Sequence, residues 1–122
     1  MHVYVLLYHG EKNEGIHSIE CSGQTQVLMF EAKGAASRYA KKLTATGFPR
    51  PTVERIERLE CETFCRDSGF LPKFIPVGFA PITEEDRYLV IPPKRNLETK
   101  YDYKLRFCKN LLKYRPINIK KI

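Results

Sequence analysis

Apolar positions fall along this chain in three kinds of run, and each kind predicts a different element. Val3 to Tyr8 (VYVLLY) and Val27 to Phe30 (VLMF) are apolar or aromatic at every position. A strand with one wet face would alternate, so both are predicted as strands covered on both faces. Between them lie a polar turn (HGEKNEG), a weaker strand (IHSIEC) and a tight turn (SGQ), the pattern of an antiparallel meander. The period then changes. Ala36, Tyr39, Ala40 and Leu43 recur at i, i+3, i+4 and i+7, with Arg38, Lys41 and Lys42 off the stripe, which predicts an amphipathic helix. Gly47 stands where a left-handed C-terminal cap belongs, and Pro49 and Pro51 forbid continuation. At the other end Lys33-Gly34-Ala35 offers no good N-cap.

The second half of the chain repeats the logic with weaker signals. TVERI (Thr52–Ile56) reads as a short strand. In LECETFCRDS, Cys61, Phe64 and Cys65 share one helical stripe and Gly69 supplies a cap. FLPKFI is extended, and Pro72, which cannot donate to a ladder, places it at a sheet edge. The predicted order of strand, strand, strand, helix, strand, helix, strand suggests an α+β fold. It is expected as a two-layer, ferredoxin-like sandwich: a small mixed or antiparallel sheet with two helices on one face. Leu28, Phe30, Tyr39, Leu43 and Phe64 should then form one buried cluster. PVGFAP marks a boundary after residue 78. Beyond it ITEEDR fits one helical turn and YLVIPP a short apolar strand. Leu97, Tyr101, Leu105, Cys108 and Leu112 recur at spacings of 4, 4, 3 and 4, which predicts a helix over about 97–114 with Asn96 as its N-cap. The expected organisation is a core domain over 1–78 and a C-terminal extension over 79–122, with the core able to fold alone.

Composition sharpens this division. The chain has 122 residues, enough for one domain with a real core. Its net charge of +7 is uneven. Residues 1–78 hold ten Lys/Arg and nine Asp/Glu, whereas residues 79–122 hold eleven and five. The basic extension is therefore the expected contact for an anionic partner. No run reaches the roughly 18 apolar residues of a membrane span, and Met1 leads directly into a strand, so no signal or transit peptide is read.

Candidate chemistry is sparse. Cys61 and Cys65 lie one helical turn apart, but Cys21, Cys108, His2, His9 and His17 supply no second pair at zinc-ligand spacing, and buried free thiols are expected. His9 and His17 flank a loop with Glu11 and Glu14, a cluster that could do acid–base work, yet no nucleophile or phosphate cradle accompanies it. Tyr4, Tyr8, His17 and Phe30 could form a base-stacking sheet face, but their strands lack the Lys and Arg such faces carry, and core packing is favoured. No catalytic residue, cofactor or metal is expected.

The blocks VYVLLY, NEGIHSIE, VLMFE, RYAKKL, FPRPTVE and FC followed by SGF resemble, in this order, a small domain family of unknown function found in cyanobacteria and plastid-bearing eukaryotes. The resemblance spans roughly residues 3–78. It implies the cytoplasm of an oxygenic phototroph or a plastid stroma, a place peripheral to the thylakoid, and a link to photosynthetic complexes. It transfers no site residue. Taken together, the residues and the resemblance lead us to expect a non-enzymatic accessory protein that docks on a larger assembly. The expected contacts are Lys100, Tyr101, Lys104, Leu105, Lys109, Leu112, Lys113 and Arg115, meeting a protein partner with an acidic surface. The alternative is an RNA-binding protein whose basic extension grips phosphate, with an anionic membrane surface as a further partner class.

Overall fold

The computed structural model describes residues 1–9, 14–21, 23–92 and 103–108. The strands are β1 (His2–His9), β2 (Glu14–Cys21), β3 (Gln24–Phe30), β4 (Thr52–Glu57), β5 (Leu71–Ile75) and β6 (Tyr103–Cys108). Helices α1 (Lys33–Ala45) and α2 (Arg58–Ser68) follow β3 and β4, and a single-turn helix α3 (Glu84–Arg87) follows β5. The class is mixed α+β, as the pattern of runs predicts.

β2 is where the sheet curls. Its Ile16 pairs with Leu7 of β1, and its Ser18–Cys21 with Val27–Gln24 of β3. Its other edge is taken by β6, from Ile16↔Cys108 to Cys21↔Tyr103. Where β1 and β3 leave β2 they meet each other, antiparallel, at Tyr4↔Phe30. β4 runs antiparallel along β1 and β5 parallel to β3. Thus β5, with Pro72, lies at an edge as its sequence requires.

This strand order decides where the helices go. β3, β4 and β5 run in the same direction, so both helices are crossovers between parallel strands. α1 steps from β3 over β1 to β4, and α2 steps back to β5. Crossovers of the favoured right hand that step in opposite directions must lie on opposite faces of the sheet. The core shows this. Leu6, Tyr8, Leu28 and Phe30 pack with Tyr39 and Leu43 of α1, whereas Val3, Val5, Val27 and Met29 pack with Cys61 and Phe64 of α2. The expectation of two helices on one face is therefore corrected: α1, sheet and α2 make three layers. Leu28, Phe30, Tyr39, Leu43 and Phe64 are all buried, but Phe64 belongs to the other cluster.

The helix ends follow the sequence closely. Phe48 N–H donates to Leu43 O and Gly47 N–H to Thr44 O, with Gly47 at φ 87°. Phe70 N–H donates to Cys65 O and Gly69 N–H to Arg66 O, with Gly69 at φ 74°. Both are Schellman motifs in which a Gly-Phe pair turns the chain and buries the ring against the last turn. Leu43 itself is fully buried. Leu43→Ala is expected to lower unfolding stability by about 3 kcal/mol in urea denaturation; a loss well under about 1 kcal/mol would show that this face of α1 is not a packed core.

Two further expectations are revised after residue 78. Tyr88, Leu89 and Val90 form turns rather than a strand: Leu89 N–H bonds Asp86 O and Val90 N–H bonds Arg87 O. α3 is capped reciprocally, since Asp86 N–H donates to Thr83 Oγ1 and Thr83 N–H to Asp86 Oδ2. This segment is not separate from the core, because Leu89 is 7% exposed within the α1-side cluster and Tyr39 OH donates to Tyr88 O at 2.8 Å. The other revision concerns the predicted helix over 97–114. Its residues Tyr103–Cys108 are strand β6, and YKLRFC has a period of two as well as the helical spacing. It pairs antiparallel with β2 from Ile16↔Cys108 to Cys21↔Tyr103. The remainder of that predicted helix lies outside the described residues.

Candidate functional site

The loop histidines do not converge. Strand alternation puts His17 on the α1 side with Tyr8 and His9 on the α2 side with Val3, Val5 and Leu7. His9 is exposed, with Nε2 2.9 Å from Thr52 Oγ1 and 3.7 Å from Glu54 Oε2. Thr52 also donates to Glu54. Both His9 and Glu54 engage one hydroxyl, so the imidazole does not stand between nucleophile and carboxylate as it must to relay a proton. Glu11 lies outside the described residues, and of Glu14 only the backbone is described.

His17 sits instead in an aromatic box. Its ring centroid lies 5.8 Å from Tyr8, 5.7 Å from Tyr39 and 6.1 Å from Phe48. Nδ1 is 2.9 Å from Tyr8 OH, and Nε2 is buried with no hydrogen-bond partner among the described residues. Burial alone drives its pKa down to about 3, so the ring is neutral at physiological pH. Burial, then the neighbouring Tyr8, pushes the Tyr39 phenol up. Tyr8, His17 and Phe30 do share a face with the half-buried Tyr4, but α1 covers it. A surface closed by a helix cannot stack bases.

Cys61 and Cys65 are buried free thiols. A hydrogen bond to Cys65, then burial, raises the Cys61 thiol well above its ordinary value, the opposite of an activated nucleophile. No group of three or more His, Cys, Asp or Glu side chains among the described residues could hold a metal ion. Native mass spectrometry is therefore expected to give the mass with both thiols reduced and no bound zinc. A two-hydrogen loss at this pair, or zinc at stoichiometry, would overturn the packing role.

The distinctive chemistry lies on α1. Residues 32–53 contain Lys33, Arg38, Lys41, Lys42 and Arg50 and no carboxylate. All five cations are exposed, and none forms an ion pair with a described residue. α2, on the opposite face, carries Arg58 and Arg66 against Glu60, Glu62 and Asp67, and there Arg58 is spent on Glu62 at 3.3 Å and on the Phe74 ring at 4.0 Å. α1 thus carries a basic surface and α2 a mixed one, a difference hidden in the near-balanced charge of residues 1–78. α1 has no acidic residue in its first turn and no side-chain cap at Ala32, so the helix dipole adds to the positive potential at that end. Arg38 and Lys42 border a cleft floored by Phe30, Ile75, Phe79 and Leu89, while Lys41 and Arg50 border a shallower hollow on the far side of the helix.

A comparison with protein families matches the domain of unknown function DUF3110 over residues 3–94. The chain belongs to the DUF3110 family. No curated protein and no solved structure matches the chain. The DUF3110 match runs past Gly78 to residue 94, and so takes in α3 and the Tyr88–Leu89 segment that packs on α1.

Of the contact residues expected in the extension, Lys104 and Leu105 are in β6. Lys100, Tyr101, Lys109, Leu112, Lys113 and Arg115 lie outside the described residues. The basic surface of α1 is hidden in the summed charge of residues 1–78. The signal was available in the run from residue 32 to 53, where every charged residue is positive. Among the described residues no helix is long and apolar enough to cross a membrane.

Proposed function

We infer that this DUF3110 protein is a non-enzymatic binding module that docks on an acidic surface of a larger protein assembly, with α1 as the docking element. The supporting observation is the set of five exposed cations between residues 32 and 53, with no carboxylate in that run and no ion pair to a described residue. Like charges gathered on and beside one helix repel one another, and an acidic partner relieves that repulsion while it gains long-range steering. A protein surface fits better than single-stranded RNA. Among the described residues the large exposed apolar side chains are Met1, Leu59, Val77, Ile82 and Ile91, and none of these is an aromatic platform on which a base could stack. The setting proposed with this role, an oxygenic phototroph's cytoplasm or a plastid stroma beside photosynthetic complexes, rests on the family resemblance alone.

Charge reversal tests the role. The triple variant Arg38→Glu, Lys41→Glu, Lys42→Glu alters only exposed side chains and is expected to fold, as checked by circular dichroism. Immobilised wild type is expected to retain a defined protein complex from a native lysate treated with nuclease, and the variant to lose it. Retention of the same complex by the variant would refute docking through α1. Loss of everything bound on nuclease treatment would favour the RNA-binding reading.

A further inference from the structure

We propose that the cleft beside α1 is an anchor pocket for one apolar side chain of the partner, presented within an acidic segment whose carboxylates meet Arg38 and Lys42. This rests on the docking role and names the chemistry of the segment that would engage it. Two independent features of the surface meet at this cleft. The first is charge: Arg38 and Lys42 stand at its rim with no ion pair to a described residue, and Ala32 and Ala35, from the uncapped start of α1, also line it. The Arg38 guanidinium reaches back along the helix, where a Cβ on Gly34 would lie 3.3 Å from Nη1. Lys42 Nζ reaches Val90 O at 3.5 Å, a long contact that leaves donors free. The Glu31 carboxylate, just before α1, accepts the Val77 N–H at 2.8 Å.

The second feature is apolar exposure. Val77, on the cleft, is 69% exposed, and Ile82 and Ile91, which line a separate hollow with Tyr88 and Arg87, are 91% and 57% exposed. Exposed aliphatic residues gathered beside an apolar depression mark interaction sites. The cleft measures about 210 Å³, smaller than the roughly 300–1,000 Å³ of sites that enclose a cofactor or a metabolite. It suits a single Leu-sized or Phe-sized side chain, the anchor type found at the centre of protein interfaces. Cations around an apolar floor select for an anchor with acidic neighbours. A basic segment would be repelled, and a neutral one would leave the rim unpaired.

The full-length, 15N-labelled protein titrated with the peptide EELEE, acetylated and amidated at its ends, tests this. Amide shifts are expected at Ala32, Ala35, Val77, Phe79 and Val90. The control peptide EEAEE is expected to bind about tenfold or more weakly, since burial of one Leu side chain is worth at least that factor, and QQLQQ is expected to bind more weakly than EELEE because it lacks the carboxylates that meet Arg38 and Lys42. The surface variant Arg38→Ala with Lys42→Ala is expected to weaken EELEE by a similar factor. Equal binding of EEAEE and EELEE would remove the anchor but leave acidic docking standing. Shifts confined to another surface, or none at the peptide's solubility limit, would overturn the cleft, and docking would then be judged by the α1 charge-reversal experiment. Shifts on α1 produced by a uridine oligonucleotide, and by none of the peptides, would overturn both.

Discussion

A chain ending at residue 78 is expected to give no cooperative unfolding transition. Deleting 79–122 removes Leu89 from the α1-side core, the packed faces of Phe79 and Tyr88, and the acceptor of the Tyr39 hydroxyl. At about 25 cal/mol per Å² of apolar surface, and about 1 kcal/mol or more for a buried hydroxyl left unmade, these losses come to roughly 5 kcal/mol. That is comparable with the whole stability of a small domain, about 5–15 kcal/mol. β6 goes as well, and with it the ladder along β2 from Ile16 to Cys21. A chain ending at residue 92 keeps Leu89 and Tyr88 and is expected to retain a cooperative transition at a lower midpoint. Circular dichroism melts of the two chains decide the matter. If the 1–78 chain melts like the full-length protein, the segment after residue 78 is not part of the core. The composition boundary at PVGFAP points to that second result, and the packing of Leu89 points to the first.

Acid destabilisation centred on His17 is the second large effect expected. Burial lowers the His17 pKa from 6.5 to about 3. Below pH 6.5 the unfolded chain therefore binds a proton that the folded chain refuses. Stability is unaffected by this group above about pH 6.5 and falls as the pH drops from there to about 3. At about 1.4 kcal/mol per pH unit, the loss due to His17 is about 3 kcal/mol at pH 4 and about 4–5 kcal/mol at pH 3. His17→Phe fills the same aromatic box without a titrating group. Urea unfolding of both proteins at pH 7 and pH 4 compares the slopes rather than the absolute stabilities. The variant is expected to lose about 3 kcal/mol less than wild type over that interval. Equal losses would place the acid sensitivity on other groups.

Local structure was largely legible in the sequence, and long-range arrangement was not. The buried stripe Ala36, Tyr39, Ala40 and Leu43 is the one its spacing predicts, and Gly47 and Gly69 end the helices where they should, because both signals act within a few residues. Which face of the sheet each helix covers is not a periodic property. It follows from strand order and crossover hand, and strand order depends on pairings such as Tyr4↔Phe30, which no local pattern announces. β6 departs from the predicted helix for a related reason. YDYKLRFCK satisfies both a period of two and a helical stripe, and the free edge of β2 settles which is realised. The candidate surface was half legible. Spacing places the cations of α1 on the solvent side of a helix, but that they stand apart from the mixed charges of α2 depends on α2 lying on the other side of the sheet.

Zero-length cross-linking of amines to carboxylates in a native lysate, read by mass spectrometry, tests the central claim most directly. If α1 docks on an acidic protein surface, Lys33, Lys41 and Lys42 should join Asp or Glu residues of one partner protein, and competing salt should suppress these links. Links to a partner only through Lys104, Lys109 or Lys113, with those on α1 unreacted, would contradict it.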